Sequence, residues 1–375
     1  MTQIRPSQET PAPQENSPPR HAAPPQSAGK AAGGPASGRL VGVDLARALA
    51  VFGMYIVHIG PALSATSGAG SWVRYLADGH SSVLFATLAG FSLMLIAGRR
   101  EPKTGLAGRQ AKARIAIRAV VLLALGTVLA MEYGGVIILG FYGVYFLLAL
   151  PLLRLPVRTL ALIAAGLALV TPQLAFALNS LLGESVQQSI NAYDPLKRLS
   201  EVGALDLLLT GFYPAITWLS FVVAGMALAR LDLSAVSVQR RLAVLGAGLA
   251  AGAYGLSLLL AGKDALRSMA QDGKSSAGSE AASSFGSGSF PTSRSASELL
   301  SAGPHTGTTF DIVGSVGVAI LVIVGATVLM DRLPRLRRLA KPVIAVGTMS
   351  LTAYVGHFLA QSLLGVSAGE STQVS

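Results

Sequence analysis

The sequence predicts an all-α integral membrane protein, on the evidence of its composition, its apolar stretches and its basic residues. Hydrophobic residues make up 51% of the 375 residues, charged residues only 13%, and mean hydropathy is +0.56. A soluble domain carries roughly 25% charged residues, so this chain has too few to cover its surface in water. The excess apolar surface is expected to face lipid. The composition therefore disfavours a soluble enzyme and a disulfide-stapled secreted module.

Nine apolar stretches are each about long enough to cross a bilayer as a helix. Residues 1–38 are rich in Pro, Ser and Ala without an apolar run, which predicts a disordered cytoplasmic tail. A transmembrane domain is expected over 39–366, with a flexible Gly- and Ser-rich extracytoplasmic loop at 263–308, and a short polar tail at 367–375. The nine stretches are 40–62, 80–98, 114–132, 134–153, 158–179, 204–229, 242–262, 310–331 and 342–364.

The distribution of Lys and Arg predicts which end of each apolar stretch faces the cytoplasm. With the N-terminus inside, the inner loops hold 17 Lys and Arg residues and the outer loops hold 7. This asymmetry predicts a multi-pass protein of the plasma membrane with a cytoplasmic N-terminus. The net charge of +11 is then mostly a topology signal. A nucleic-acid surface would need basic residues clustered on one folded face, so the expected partner is the lipid bilayer and no nucleic acid.

The first apolar stretch carries three ionisable residues, Asp44, Arg47 and His58. Such groups are costly inside a bilayer and are functional candidates by default. At about 100° per residue, Arg47 and His58 share one helix face to within about 20°, and they lie about 16 Å apart along the axis. Asp44 and Arg47 are three residues apart and are expected to pair near the cytoplasmic end, either as a functional pair or as interface anchors.

Four histidines are expected at a similar depth, near the outer ends of the predicted helices. They are His58, His80, His305 and His357, whereas His21 lies in the N-terminal tail. Imidazole is the natural proton shuttle near neutral pH, so such a layer suits general acid–base catalysis. The alternative is that interfacial histidines are common and that four coincide here.

Asp78 is the local candidate for a carboxylate that binds a ring nitrogen of His80 and raises its basicity. The alternative is a plain helix cap, because Asp-Gly-His-Ser-Ser is a good helix start signal. Tyr213 and Trp218 are interpreted either as histidine partners or as interface anchors. Other polar residues expected at this depth are Glu132, Tyr133, Asp311 and Tyr354.

Motifs for metal, phosphate-loop or serine-hydrolase chemistry are missing from the sequence. No His and carboxylate residues stand at the spacing of metal ligands, and the chain has no cysteine. No phosphate-binding loop or G-x-S-x-G elbow stands in a strand–helix context. We therefore expect no metal.

Small residues recur in the seventh apolar stretch. In membrane helices such residues allow backbones to approach closely, so they predict a tight helix contact along this stretch. The residues are Gly246, Gly248, Gly252 and Gly255.

Several segments resemble one family of membrane enzymes. RLVGVDLARALAVFGMYIVHIGP resembles the first helix of bacterial transmembrane acyltransferases, in which an arginine precedes a histidine with ten residues between, as Arg47 precedes His58. DGHSSVLFATLAGFSL is similar to the second helix of proteins related to heparan-alpha-glucosaminide N-acetyltransferase, and His80 is the nearest equivalent of the histidine that these relatives carry ahead of that helix. TGFYPAITWLSFVVAGMALARLDL, PHTGTTFDIVGSVGVA and AVGTMSLTAYVGHFLAQSL are similar to later helices of actinobacterial members.

The resemblance implies a transmembrane acyltransferase-like domain over 39–366. It implies a cytosolic donor, acetyl-CoA or another acyl-CoA, and an acceptor hydroxyl or amine on an extracytoplasmic glycan or small envelope metabolite. Arg47 with Asp44 would bind the donor, and the outer group of His58, His80, Asp78, His305 and His357 would carry out the transfer. A histidine would act either as a general base or as an acylated intermediate, and both roles need neutral imidazole, which favours activity above roughly pH 6.5.

Two other functions stay open at the level of sequence. A proton-coupled transporter or flippase would use the histidines as a proton relay. Transporters often show inverted repeats, and no convincing repeat is present in this chain. A non-catalytic membrane scaffold is the third alternative. The sequence does not decide whether the protein forms a homo-oligomer.

Overall fold

The computed structural model describes residues 40–60, 68–133, 137–278 and 299–363, and these residues form helices without strands. The predicted tails at 1–38 and 367–375, and the centre of the predicted loop at 263–308, lie outside the described residues. The α-helices are α1 (Val41–His58), α2 (Ala69–Ala77), α3 (His80–Ala97), α4 (Gly105–Tyr133), α5 (Ile138–Ala149), α6 (Val157–Tyr193), α7 (Pro195–Ser200), α8 (Ala215–Ala229), α9 (Val236–Gly278), α10 (Thr309–Arg332), α11 (Pro334–Leu339), α12 (Lys341–Thr348) and α13 (Ser350–Leu363).

The described helices confirm an all-α, multi-pass membrane fold, although not the expected count of nine spans. Six helices are long and apolar enough to cross a bilayer, namely α1, α3, α4, α6, α9 and α10. A seventh span forms if α12 and α13, bent by 89° relative to each other, count as one. The remaining two apolar stretches form shorter helices, Ile138–Arg154 and Ala215–Ala229. The described part of each predicted stretch is therefore mainly helical, but two of the helices are shorter than a full crossing.

The stretch predicted at 204–229 is interrupted. A π-helical turn covers Asp206–Thr210, and α8 begins only after Pro214, whose ring nitrogen cannot donate to a preceding turn. Broken backbone at membrane depth is tolerated where protein surrounds it. This condition holds here, because every residue of α8 except Ile216 and Leu219 is buried.

The helices divide into a buried centre and an outer layer. More than half of the apolar window is buried in α1, α3 and α10 (56%, 67% and 56%), against 33%, 22% and 22% in α4, α6 and α9. The outer helices expose large apolar side chains such as Leu162 and Val244. In a membrane, these side chains contact lipid tails. The centre, formed by α1, α3, α8 and α10, is where polar groups are shielded from lipid.

Glycines bring the central helices into close contact. A Cβ atom added at Gly90 of α3 would collide with the backbone oxygen of Val222, and one at Gly225 of α8 would collide with that of Thr87. Only glycine allows backbones to approach this closely. The backbones of α3 and α8 therefore lie in direct contact.

The glycine-rich stripe of α9 behaves differently from its prediction. Gly246 does lie in a close contact, since a Cβ there would stand 2.9 Å from the carbonyl oxygen of Gly317 on α10. Around Gly248, Gly252 and Gly255 a Cβ would meet nothing within 4 Å. The prediction is right for Gly246 and wrong for the other three, because they lie away from the face that packs on α10.

Helices α1 and α3 run antiparallel, which defines two ends of the bundle. Arg47, early in α1, contacts Ser92, late in α3, whereas Gly53 of α1 approaches Ser81 at the start of α3. We call the end that contains Arg47 and the α3 C-terminus the basic end. The end that contains His58 and His80 is the histidine end.

At the basic end, arginines cap the exposed carbonyl groups of helix C-termini. Arg99 donates from Nε to the carbonyl oxygen of Ala229 (3.0 Å) and from Nη2 to that of Leu231 (3.1 Å). Arg230 donates from Nη2 to the carbonyl oxygen of Leu153 at 2.8 Å. Cations at helix C-termini also offset the helix dipole. Some of the basic residues that predict the orientation in the membrane therefore also stabilise the fold, because they bind backbone carbonyl groups.

The close α3–α8 contact predicts an asymmetry between two glycine substitutions. Gly90→Ala forces the two helices apart, and we expect a loss of about 1–3 kcal/mol in stability, seen as a lower unfolding temperature in detergent. Gly252→Ala adds the same methyl group into open space and is expected to be neutral or stabilising by up to about 1 kcal/mol. Equal effects of the two substitutions would contradict the described packing.

Candidate functional site

Two histidines from distant parts of the chain meet at the histidine end. His58 is the last residue of α1, and its Nδ1 lies 3.2 Å from Nε2 of His357 on α13. The rings of Tyr55 and Phe358 pack on the His357 ring, at centroid distances of 5.3 and 3.9 Å. His357 is buried. The sequence prediction placed both residues at this depth, and the structure brings them into direct contact.

The hydrogen-bond partners of His357 determine which ring nitrogens of His357 and His58 carry a proton. Its Nδ1 contacts the carbonyl oxygen of Tyr354, which can only accept, so Nδ1 carries the proton. In a neutral ring, Nε2 then accepts, and its neighbour Nδ1 of His58 donates. The remaining lone pair lies on Nε2 of His58. This nitrogen has the electronic state of a general base, oriented by its partner as in a catalytic triad.

The turn before α3 builds the second part of the site. Gly79 adopts φ +69°, in the region that favours glycine, and a Cβ there would stand 2.9 Å from Cβ of Pro304. Glycine therefore allows the Asp78–His80 turn to lie directly on the loop that carries His305. The Nδ1–H group of His80 donates to the carbonyl oxygen of Asp78 at 3.1 Å.

The predicted pairing of the Asp78 carboxylate with His80 is wrong. His80 uses the backbone carbonyl of Asp78, and the carboxylate Oδ1 lies 3.8 Å from Nε2 of His305 instead. Asp78 is also not the cap of α3, since Gly79 holds that position without a side-chain hydrogen bond. The reason is the tight turn at Gly79, which directs the Asp78 side chain towards the neighbouring loop.

His305 lies in an aromatic pocket formed by the broken backbone before α8. Its ring packs against Phe212 (centroids 4.5 Å apart), Tyr213 (5.6 Å) and Trp218 (6.0 Å, nearly parallel). Tyr213 and Trp218 are buried, which favours their interpretation as histidine partners over that as interface anchors. Within the described residues, Nδ1 of His305 is buried without a hydrogen-bond partner. A buried polar atom in this state is open to a ligand.

A chain of hydrogen bonds leads from His80 into the core. Nε2 of His80 lies 2.9 Å from the hydroxyl of Tyr254 on α9, which lies 3.2 Å from Oγ of Ser315 on α10. Ser315 in turn lies 3.0 Å from Oδ1 of Asp311. Asp311 is held by the start of α10, where the backbone N–H of Gly307 donates to Oδ2 at 3.1 Å. We call this chain the His80–Asp311 relay.

Two proton arrangements satisfy all three bonds of the relay. In the first, Asp311 is protonated and donates to Ser315, Ser315 to Tyr254, and Tyr254 to neutral His80. In the second, every bond is reversed, with a cationic His80 and an ionised Asp311. The two differ only by the net movement of one proton between Asp311 and His80. The chain of hydrogen bonds therefore couples the protonation of His80 to that of Asp311.

At the basic end, Arg47 and Asp44 form the predicted ion pair. Nη1 of Arg47 lies 2.8 Å from Oδ1 of Asp44, and Nη2 donates to Oγ of Ser92 at 2.9 Å. Both charged side chains are largely buried, 15% and 9% exposed, and Arg47 faces α3 within the bundle. A guanidinium has five N–H donors, so these two contacts leave others for a ligand.

Several residues of the site escaped the sequence prediction. Tyr254 and Ser315 complete the relay, and Phe212 packs on His305. The spacing of Asp311 and Ser315, four residues apart on one helix, was a usable signal. Tyr254 offered none, because a single tyrosine in an apolar helix does not reveal which neighbour it faces.

The fold and site define a multi-pass helical membrane protein with buried imidazoles among broken helices at one end. A family model described as "Heparan-alpha-glucosaminide N-acetyltransferase, catalytic" matches residues 39–266, well over half of the chain. The chain therefore belongs to this transmembrane acetyltransferase-like family, which confirms the resemblance. The match includes His58, His80 and Tyr254. No curated protein and no solved structure matches the chain at the level searched.

His305 predicts a pH dependence of stability. Burial lowers the pKa of His305 below its ordinary value, opposed by the Asp78 carboxylate. As the pH falls below about 6.5, the unfolded chain therefore binds this proton first, and stability decreases. We expect the unfolding temperature in detergent to fall between about pH 7.5 and 5.5, with a smaller fall in His305→Asn. Asparagine tolerates the φ of +59° at this position.

A suitable control for this measurement is His21→Asn, which removes a histidine from the N-terminal tail and should keep the wild-type pH slope. If His305→Asn and His21→Asn showed the same slope as the wild type, the burial of a neutral His305 would be wrong.

Proposed function

We propose that this protein is an acyltransferase of the plasma membrane that moves an acetyl or other short acyl group from acyl-CoA to a hydroxyl or amine. The acceptor is an extracytoplasmic glycan or a small envelope metabolite, and the N-terminus is cytoplasmic. The observation that carries this proposal is the lone pair on Nε2 of His58, set by the contact with His357. Membership of the acetyltransferase family supports the reaction class.

The proposed reaction uses Nε2 of His58 as the base. The acceptor oxygen or nitrogen attacks the thioester carbonyl while Nε2 of His58 removes its proton. The carbon–sulfur bond breaks, and the CoA sulfur leaves with the bonding electron pair. The proton on His58 then passes to the sulfur, so that the products are the acylated acceptor and CoA thiol. His357 stabilises the imidazolium through the second ring nitrogen.

The His80–Asp311 relay has a supporting role in this proposal. His80 lies at the same end as His58, and His305 is close enough to both to interact electrostatically. When the relay moves a proton from Asp311 to His80, the resulting imidazolium stabilises by its charge the negative charge that develops on the thioester oxygen, and the proton returns to Asp311 when that charge is lost. His80 thus acts through its charge and gives no proton to the substrate, because both of its ring nitrogens are already hydrogen-bonded.

Arg47 is proposed to bind a phosphate group of the acyl-CoA donor at the end of the bundle opposite the histidines. Its guanidinium lies near the basic end, about 16 Å along α1 from His58, and charge-assisted bonds to phosphate are among the strongest in proteins. Asp44 and Ser92 hold the guanidinium in place. A pantetheine arm is of suitable length to join a phosphate at Arg47 to a thioester at the histidine end.

Acyl transfer by purified protein tests these roles. Loss of a general base typically costs about 10²–10⁴-fold in rate, and we expect this for His58→Ala. His357→Ala is expected to lose less, because it removes only the orienting partner, and Tyr254→Phe should interrupt the relay and lower kcat without changing KM for the donor. His21→Ala is the matched control, with unchanged activity. Full activity in His58→Ala would overturn the assignment of the base.

Two further measurements separate the alternatives. If a single turnover with labelled acyl-CoA leaves label on His58 in the absence of acceptor, the histidine itself is acylated and the direct route is wrong. Proton-coupled uptake into liposomes without acyl-CoA would support the transporter instead, for which the His80–Asp311 relay is also suited.

A further inference from the structure

A basic cavity lies at the opposite end from the histidines. It has a volume of about 350 Å³ and lies between the end of α3 and the first half of α4. Its lining residues are Ile96, Lys103, Arg114, Ile117 and Arg118. None of them takes part in the histidine site or in the Arg47–Asp44 pair.

The cavity concentrates positive charge. Arg114 and Arg118 are four residues apart and therefore share one face of α4, and Lys103 approaches from the α3–α4 connection. The Lys103 ammonium donates to the carbonyl oxygen of Ile96 at 3.0 Å. Within the described residues, none of these three cations pairs with a carboxylate. The three side chains are exposed, and together they create a positive potential that attracts anions to this cavity.

The cavity continues into an apolar surface. Ile117 lines it and is 63% exposed, and Val121 and Val128 are exposed further along α4. These positions are four and eleven residues beyond Ile117, so they follow the same helix face over about 16 Å. This length is roughly half of a hydrocarbon core of about 30 Å, that is, one leaflet. The cavity therefore opens towards lipid tails.

We infer that this cavity binds an anionic phospholipid. The phosphate of the headgroup lies among Lys103, Arg114 and Arg118, and one acyl chain follows Ile117, Val121 and Val128. Basic pockets between membrane helices are suited to anionic headgroups. The apolar track favours a lipid over a soluble phosphate ligand, since inorganic phosphate has no chain and the pantetheine arm of CoA carries two amide groups that are costly to place among lipid tails. The inference does not depend on the proposed acyl transfer.

Native mass spectrometry of the full chain in detergent tests this site. Phosphatidylglycerol is the probe, and phosphatidylcholine of the same chain length is the neutral comparison. We expect phosphatidylglycerol to remain bound, and Arg114→Gln/Arg118→Gln to weaken it about 30-fold, at about 1 kcal/mol for each cation removed. Arg109→Gln/Lys112→Gln removes the same charge from the same helix outside the cavity, and it should change the affinity by less than about threefold.

Additional variants and competitors test whether binding depends on charge and whether the bound phosphate belongs to a lipid or to a soluble ligand. Arg114→Lys/Arg118→Lys keeps both charges and should retain most of the binding, which also reports that the helix is folded. The site would be overturned if the two double Gln variants lost phosphatidylglycerol affinity to the same extent. It would also be overturned if phosphatidylcholine bound the wild-type protein as tightly as phosphatidylglycerol. Displacement of phosphatidylglycerol by CoA or by inorganic phosphate, lost in Arg114→Gln/Arg118→Gln, would assign the cavity to a soluble ligand and would also overturn it.

Discussion

Inside a bilayer there is no water to bind a free backbone amide or carbonyl, and this constraint governs the whole architecture. An uninterrupted outer helix such as α4 satisfies it alone and is free to face lipid. Irregular backbone is confined to the interior or the ends of the bundle, as at 211–214, where the buried helix α8 begins. The break before α8 also shapes the histidine end, because it directs the rings of Phe212 and Tyr213 onto the ring of His305.

The two ends of the bundle use charge in different ways. At the basic end, cations are permanent, and several of them neutralise helix C-termini, as Arg99 does for α8. At the histidine end, the side chains are imidazoles, which can accept and release a proton, and the carbonyl groups of Asp78 and Tyr354 fix the tautomers of His80 and His357. The proposed donor, an acyl thioester on a phosphate-bearing carrier, needs both kinds of environment, one for the charged carrier and one for proton transfer. The distance between them matches the length of one helix.

The helices were predictable because a run of about twenty apolar residues has one stable structure in lipid. The interruption at 211–214 was not recognised, although Pro214 was visible, since membrane helices tolerate proline. The grouping of His58, His80, His305 and His357 at one end followed from helix direction alone. Their partners did not, because such contacts depend on packing between remote segments, as for His80 and Tyr254, which are separated by 174 positions. The partner of the Asp78 carboxylate was also not predictable, although His80 is only two residues away, because the turn at Gly79 directs this carboxylate towards His305.

The contact between His58 and His357 joins residues 299 positions apart in the chain. At a translation rate of about 5–20 residues per second, a ribosome needs on the order of 15–60 s to synthesise the intervening polypeptide. During that interval α1 is already inserted while its imidazole has no partner. The tautomer that leaves Nε2 of His58 unprotonated is therefore established only when α13 docks, late in biogenesis. A nascent chain arrested before that point contains most of the bundle but lacks the contact with His357 that orients the proposed base.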